Sequence, residues 1–140
     1  MRTLAVSTLL LVASLAGCGG GPSSAENVVR AWSRAVNGGD NEAAARLFAP
    51  GARVVQGALV TRLETQAAAV AWNASLPCSG RIVELSTKGD TATATFVLGH
   101  RKTSRCDGPG QRARAVFRID DGKIVVWHQL AAVQSPTTEV

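Results

Sequence analysis

An α+β domain, with helices first and an antiparallel sheet after them, is the fold class this sequence predicts. Three observations predict it. Apolar residues recur at helical spacing in the stretches before Pro77, the period falls to two from Arg81 onward, and four alternating stretches then follow one another with turn signals between them. Four consecutive strands joined by short turns imply an antiparallel meander with helices packed on one face.

The elements follow in order. Ser23-Ser24-Ala25-Glu26 is a capping box, and Ala25, Val28, Val29, Trp32 and Val36 form an apolar stripe that ends at Asn37-Gly38-Gly39, which predicts an amphipathic first helix. Asp40 can cap a short second helix carrying Ala44, Leu47 and Phe48, with Pro50 as its stop. A brief extended piece, Arg53 to Val60, leads to a second capping box, Thr61-Arg62-Leu63-Glu64. The spacing of Leu63, Ala67, Val70, Ala71 and Ala74 then predicts a third helix closed by Pro77. Strands are expected at 81 to 87, 91 to 101, 111 to 120 and 123 to 132, separated by Lys88-Gly89-Asp90, a Gly/Pro loop and Asp120-Asp121-Gly122. In the third of these, Ala113, Ala115, Phe117 and Ile119 alternate with Arg112, Arg114, Arg118 and Asp120, so one face is buried and the other wet. Residues 134 to 140 read as a polar tail, and no internal repeat is present.

The first 17 residues read as an export signal. Arg2 is a positive n-region, Leu4 to Leu15 is an apolar run broken only by Ser and Thr, and Leu15-Ala16-Gly17-Cys18 supplies the small residues of a processing site. The run is too short to span a bilayer comfortably. Leu-Ala-Gly-Cys resembles the bacterial lipobox, which implies that Cys18 becomes the lipidated, palmitate-bearing first residue of an exported lipoprotein held to the cell membrane. Gly19-Gly20-Gly21-Pro22-Ser23-Ser24 cannot bury apolar surface and reads as a flexible tether, so residues 18 to 24 connect the lipid to one domain at 25 to 133.

Charge and cysteine usage suit that address. Without Arg2 the chain carries 14 cations against 10 acids, about +4. Arg101, Lys102, Arg105, Arg112, Arg114 and Arg118 fall in one stretch with only Asp107 among them. A solvated sheet face accounts for them, and attraction to anionic lipid headgroups is the next reading. Nucleic acid is a poor third and is not expected as a partner, because no aromatic residues interleave with the basic ones and an exported protein rarely meets it. Cys78 and Cys106 remain once Cys18 is lipidated, and an oxidising compartment lets them pair. Closing that loop would stabilise the fold by roughly 3 to 4 kcal/mol. A zinc site built from both cysteines with His100 and His128 is disfavoured, since no short C-x-x-C or H-x-x-x-H spacing occurs. No metal and no cofactor is expected. Asn73-Ala74-Ser75 matches a glycosylation acceptor without meaning in a bacterial lipoprotein.

The order helix, helix, short strand, helix and long meander resembles the nuclear transport factor 2-like superfamily, and particularly its SnoaL-like branch. One stretch that carries the likeness runs from Val28-Val29-Arg30-Ala31-Trp32 through Asn37-Gly38-Gly39-Asp40 to Leu47-Phe48-Ala49-Pro50-Gly51-Ala52. The other is Phe117-Arg118-Ile119-Asp120-Asp121-Gly122-Lys123-Ile124-Val125-Val126-Trp127. The resemblance implies a cone-shaped, cystatin-like fold in which three N-terminal helices pack on a curved antiparallel sheet. A pocket between sheet and helices serves some members as an active site for steroid, polyketide or epoxide substrates, while others are non-enzymatic or assemble partners. Fold alone does not choose among these.

Trp32, Trp72 and Trp127 lie on the elements such a cone brings together, and are candidate walls of a mainly apolar pocket as well as candidate core. His100 shares a face with Ala92, Ala94, Phe96 and Leu98 and is the first candidate base; a half-exposed strand-end histidine is the alternative. His128 is the second, and alternation leaves its side open, because both faces of its strand are apolar. In epoxide-hydrolysing relatives an acid follows the family's Trp by two positions, and here that place is Gln129, which keeps a hydrogen-bonding group without a proton acceptor. Asp40 and Glu64 are helix-start acids, and Asp90, Asp107, Asp120 and Asp121 are turn residues. The leading expectation is a non-enzymatic binding domain for a small apolar ligand, with Trp32, Trp72 and Trp127 as wall and His100 and Gln129 orienting it. An accessory domain acting through homodimerisation or a partner, and an isomerase, cyclase or hydrolase using His100 or His128, remain as alternatives.

Overall fold

The computed structural model of the chain describes residues 24 to 131. The signal segment, Cys18, all but the last residue of the tether and the 134 to 140 tail lie outside the described residues. The elements are α1 (Ser24–Asn37), α2 (Asn41–Arg46), β1 (Phe48–Gln56), β2 (Leu59–Leu63), α3 (Gln66–Ser75), β3 (Cys78–Lys88), β4 (Thr91–His100), β5 (Arg112–Asp120) and β6 (Lys123–Leu130). Among the described residues no helix is long and apolar enough to cross a membrane.

Helix α1 buries Ala25, Val28, Val29, Trp32 and Val36, the stripe its spacing predicts. It ends in a left-handed Gly39 with φ 76°. The Asp40 N–H bonds back to Ala35 O at 2.9 Å and the Gly39 N–H to Val36 O at 3.1 Å, the paired 6→1 and 5→2 bonds of a Schellman ending. Asp40 then caps α2, its carboxylate accepting from the Ala43 N–H at 2.9 Å.

Three expectations change between α2 and α3. Pro50 does not stop the helix, which is already over at Leu47; it sits inside β1. The extended piece is a hairpin, because Gly57 takes φ 61° in a two-residue turn that places Gln56 opposite Leu59. Thr61 to Glu64 therefore lies in and just past β2 instead of capping a helix, and the N-cap is Thr65, whose hydroxyl accepts from the Ala68 N–H at 3.1 Å. The third helix thus follows two strands, and the helices are not all N-terminal to the sheet.

The six strands form one curved sheet in the order β2-β1-β6-β5-β4-β3. The last four make the antiparallel meander, but β1 pairs with β6 in parallel, so the sheet is mixed. β6 carries an extra residue: Arg118 pairs with Val126 and the adjacent Ile119 with Ile124, leaving Val125 as a bulge. Beyond the bulge Trp127 and Gln129 face the helices while Val126, His128 and Leu130 face away.

All six aromatic residues of the chain join one cluster between α1, α3 and the sheet. Trp32 meets the ring of Phe117 at 5.3 Å edge-on, Trp72 meets Trp127 at 5.0 Å, and Phe48 meets Trp72 at 5.5 Å. The cluster is the core and also the floor of what lies above it.

Candidate functional site

Between α1 and the inner face of β4, β5 and β6 lies a cavity of about 220 Å³. Its apolar wall is Trp32, Val36, Leu76, Phe96, Leu98, Ala113, Ala115 and Trp127, and its polar side chains are Ser33, Asn37, Gln56, Ser79 and Gln129. Arg114 is the charged residue among those that line it, and the alternation of β5 turns its side chain to the outer face. No carboxylate and no imidazole is among the lining residues.

Two opposite walls handle their polar groups differently. On the α1 side every group is consumed. Asn37 Nδ2 donates to Gly80 O at 2.9 Å, the Gly80 N–H donates to Asn37 Oδ1 at 2.9 Å, and Ser33 Oγ donates to the same carbonyl at 3.1 Å. Asn37 thus pairs with β3 as a strand residue would. Glycine at position 80 also leaves room for the Phe96 side chain, since a Cβ there would stand 3.0 Å from the Phe96 Cβ.

On the β1–β6 side the amides form a directed chain. Trp72 Nε1 donates to Gln56 Oε1 at 3.4 Å, and Gln56 Nε2 donates to Gln129 Oε1 at 3.4 Å. The indole can only donate, so it fixes which end of Gln56 accepts, and Gln56 in turn fixes Gln129. The Gln129 Nε2 is left with both N–H groups unused among the described hydrogen bonds, and it borders the cavity. What this wall offers a ligand is a neutral donor.

Trp32, Trp127 and Gln129 therefore come together at the cavity. Trp72 stands one layer behind, buttressing the Trp127 ring and orienting Gln56. His100 does not join them: it is exposed at the end of β4, and its Nδ1 accepts the Cys106 backbone N–H at 2.9 Å. His128 is exposed on the outer face, turned there by the Val125 bulge. Neither histidine lies among the lining residues, so the expectation of a cavity imidazole is corrected. Gln56, Asn37 and Ser33 were not expected at the site. Asn37 looked like a helix terminator, and Gln56 lay in an extended piece whose hairpin register the sequence alone does not show.

The mouth is held by a disulfide. Cys78, a lining residue, bonds to Cys106 across a separation of 28 residues, tying the start of β3 to the β4–β5 loop. Arg101 anchors the same loop from inside. It is 5 % exposed, and its Nη1 donates to Asn73 O at 2.6 Å and Leu76 O at 3.0 Å while Nη2 donates to Asn41 Oδ1 at 2.6 Å. Carbonyls at the end of α3 suit a cation, while burial pushes the guanidinium pKa down from its usual value. Arg101 thus leaves the solvated basic stretch to which its position in the sequence assigned it. Asn73, fully buried, accepts from Trp32 Nε1 and donates to Ala69 O, so it is no glycan acceptor. Among the described residues no group of three or more His, Cys, Asp or Glu could hold a metal.

A family model for the SnoaL-like domain matches residues 29–127. No curated protein matches the sequence. Among solved structures, a protein from Sinorhizobium meliloti described as a polyketide cyclase is similar at 20% identity and TM-score 0.63, over 77% of this chain and 99% of that one. A protein from Catenulispora acidiphila with a ketosteroid isomerase-like fold, in complex with trimethylamine, is similar at 19% identity and TM-score 0.62, over 76% and 85%. A protein from Kribbella flavida described as a ketosteroid isomerase is similar at 17% identity and TM-score 0.60, over 81% and 82%. At such identities the likeness is one of fold. Taken with the match over more than half of its length, the curved sheet and the cavity between sheet and helices, the chain belongs to the SnoaL-like domain family.

Proposed function

We propose that the chain is an exported bacterial lipoprotein, anchored to the cell membrane through Cys18, whose domain binds a small, mainly apolar ligand without turning it over. One observation carries the reading of the site: the cavity is lined by aromatic and aliphatic side chains with neutral amides and hydroxyls, and no acid or imidazole is among them. General acid-base chemistry needs a group that can exchange a proton within reach of the ligand. The cavity offers a hydrogen-bond donor at Gln129 instead, which selects a ligand carrying a carbonyl, ester or ether oxygen. At about 220 Å³ it is smaller than the roughly 300 to 1,000 Å³ of drug-sized pockets, so the ligand is compact.

Native mass spectrometry of the whole chain, extracted from membranes in mild detergent, tests both halves. The expected result is a diacylated Cys18 and a discrete further mass that denaturing extraction removes. A protein free of any such adduct, whether monomer or dimer, would count against the pocket reading and favour an accessory role through self-association. Absence of acyl groups would count against the anchor alone.

A further inference from the structure

The outer face of the sheet repeats a pattern that folding does not require. Strand registers line up Arg62, Arg53, Val126, Arg118, Thr91 and Lys88 in one row across all six strands. At about 4.8 Å between strands the row is roughly 24 Å wide. Its four cations are exposed, and Arg53 stands directly opposite Arg62, an arrangement that destabilises an antiparallel pair. The next row reads Val60, Val55, His128, Val116, Thr93 and Ser86, and Val60 is 55% exposed. A further row sets Arg112 and Arg81 on either side of Val97. Acids are few here: Glu84 accepts from Thr95 Oγ1, while Glu64 and Asp90 at the margins approach Arg62 at 4.0 Å and Arg118 at 3.8 Å. Exposed pairs of that kind are worth little.

We infer that this face docks on an anionic lipid surface, its cations meeting headgroup phosphates while the valine row sits at their level. Cations flanking a modest apolar strip, spread over a broad face, match a two-dimensional array of phosphates. A second copy is disfavoured, since two such faces would oppose rows of like charge. All six aromatic residues lie in the inner cluster, which leaves no stacking platform for a single-stranded nucleic acid. The choice of lipid over an acidic protein rests on the membrane address proposed above.

Arginine modification by phenylglyoxal, read by mass spectrometry on the full chain, tests this with vesicles of phosphatidylcholine alone and of phosphatidylcholine mixed with phosphatidylglycerol. Arg53, Arg62 and Arg118 are expected to be protected on the mixed vesicles only, and to lose that protection in high salt, while Arg30 and Arg34 on α1 react equally on both. Arg53→Gln, Arg62→Gln and Arg118→Gln together should cut the preference for mixed vesicles on the order of a hundredfold, at roughly fivefold per cation. Equal reactivity on the two vesicles would overturn the inference. So would protection that rises with protein concentration in vesicle-free solution, which would assign the face to a second copy, or protection conferred by polyglutamate but not by vesicles, which would assign it to an acidic protein. Failure of palmitate labelling at Cys18 would remove the anchor and leave the footprint to be judged by itself.

Discussion

Trp32 Nε1 donates a 2.9 Å hydrogen bond to Asn73 Oδ1, joining the first helix to the third inside the core. Asn73 is 0% exposed and passes the connection on, its Nδ2 donating to Ala69 O and its own carbonyl accepting from Arg101. Asn73→Ala would leave the indole N–H buried without an acceptor. The expected loss is about 1 to 3 kcal/mol, read as a lower urea midpoint at unchanged slope. An unaltered midpoint would mean that the indole finds another acceptor.

Arg101→Met keeps the length of the side chain and removes the cation that holds three oxygens together at the end of α3 and the start of α2. The Leu76 carbonyl then loses its described donor, and the Asn73 carbonyl keeps only the Leu76 N–H at 3.4 Å. Roughly 2 to 3 kcal/mol of stability should go, with the β4–β5 loop exchanging its amides faster than the meander does. Uniform exchange across the sheet would instead show that the loop is held by the disulfide alone.

Breaking that disulfide is the complementary experiment. Cys78→Ser with Cys106→Ser should lower stability by roughly 3 to 4 kcal/mol, the loop-closure entropy of about 28 residues. Because Cys78 lines the cavity, the ligand's off-rate should rise as well. Stability lost without any change in off-rate would place the bridge outside the binding mechanism.

Much of this architecture was legible in the sequence, and the parts that were not share a physical origin. The stripe on α1, the Asp40 cap and the strand alternation from Thr91 to Ile119 are local patterns, and each appears where its spacing put it. The β1–β2 hairpin and the side of His128 depend on one residue each. Gly57 supplies the positive φ that divides an extended piece in two, and Val125 is the extra residue that reverses the facing of everything after it. A register set by a bulge belongs to the pairing of two strands, so neither strand's sequence contains it. His100 fell on the apolar side of its strand, but the strand ends there, and the imidazole turns to the Cys106 amide.

Gly80→Ala tests how closely the Phe96 side chain packs against β3. The added methyl would stand 3.0 to 3.2 Å from three atoms of Phe96. Phe96 is a cavity wall and a member of the aromatic cluster, so it has little room to move. About 1 to 3 kcal/mol of destabilisation is expected, together with weaker ligand binding. If stability falls while affinity does not, the strain is absorbed away from the cavity.

Gln129 distinguishes recognition of an acceptor from general base chemistry. Its Oε1 is already engaged by Gln56, so the Nε2 is what faces a ligand, and Gln129→Glu would replace that donor with a charged acceptor. A carbonyl-bearing ligand would then meet a carboxylate, and affinity should fall at least tenfold, about 1.4 kcal/mol or more. Gln129→Leu removes the donor without adding charge and should cost less. Global stability should change little in either variant, because the side chain is exposed at the cavity's edge. Calorimetric titration of both variants with the ligand identified by mass spectrometry reads the difference. Should the glutamate variant bind as well as the parent and begin to convert the ligand, the cavity is a catalytic scaffold that lacks only its base, and the neutral amide at position 129 is what holds it to binding.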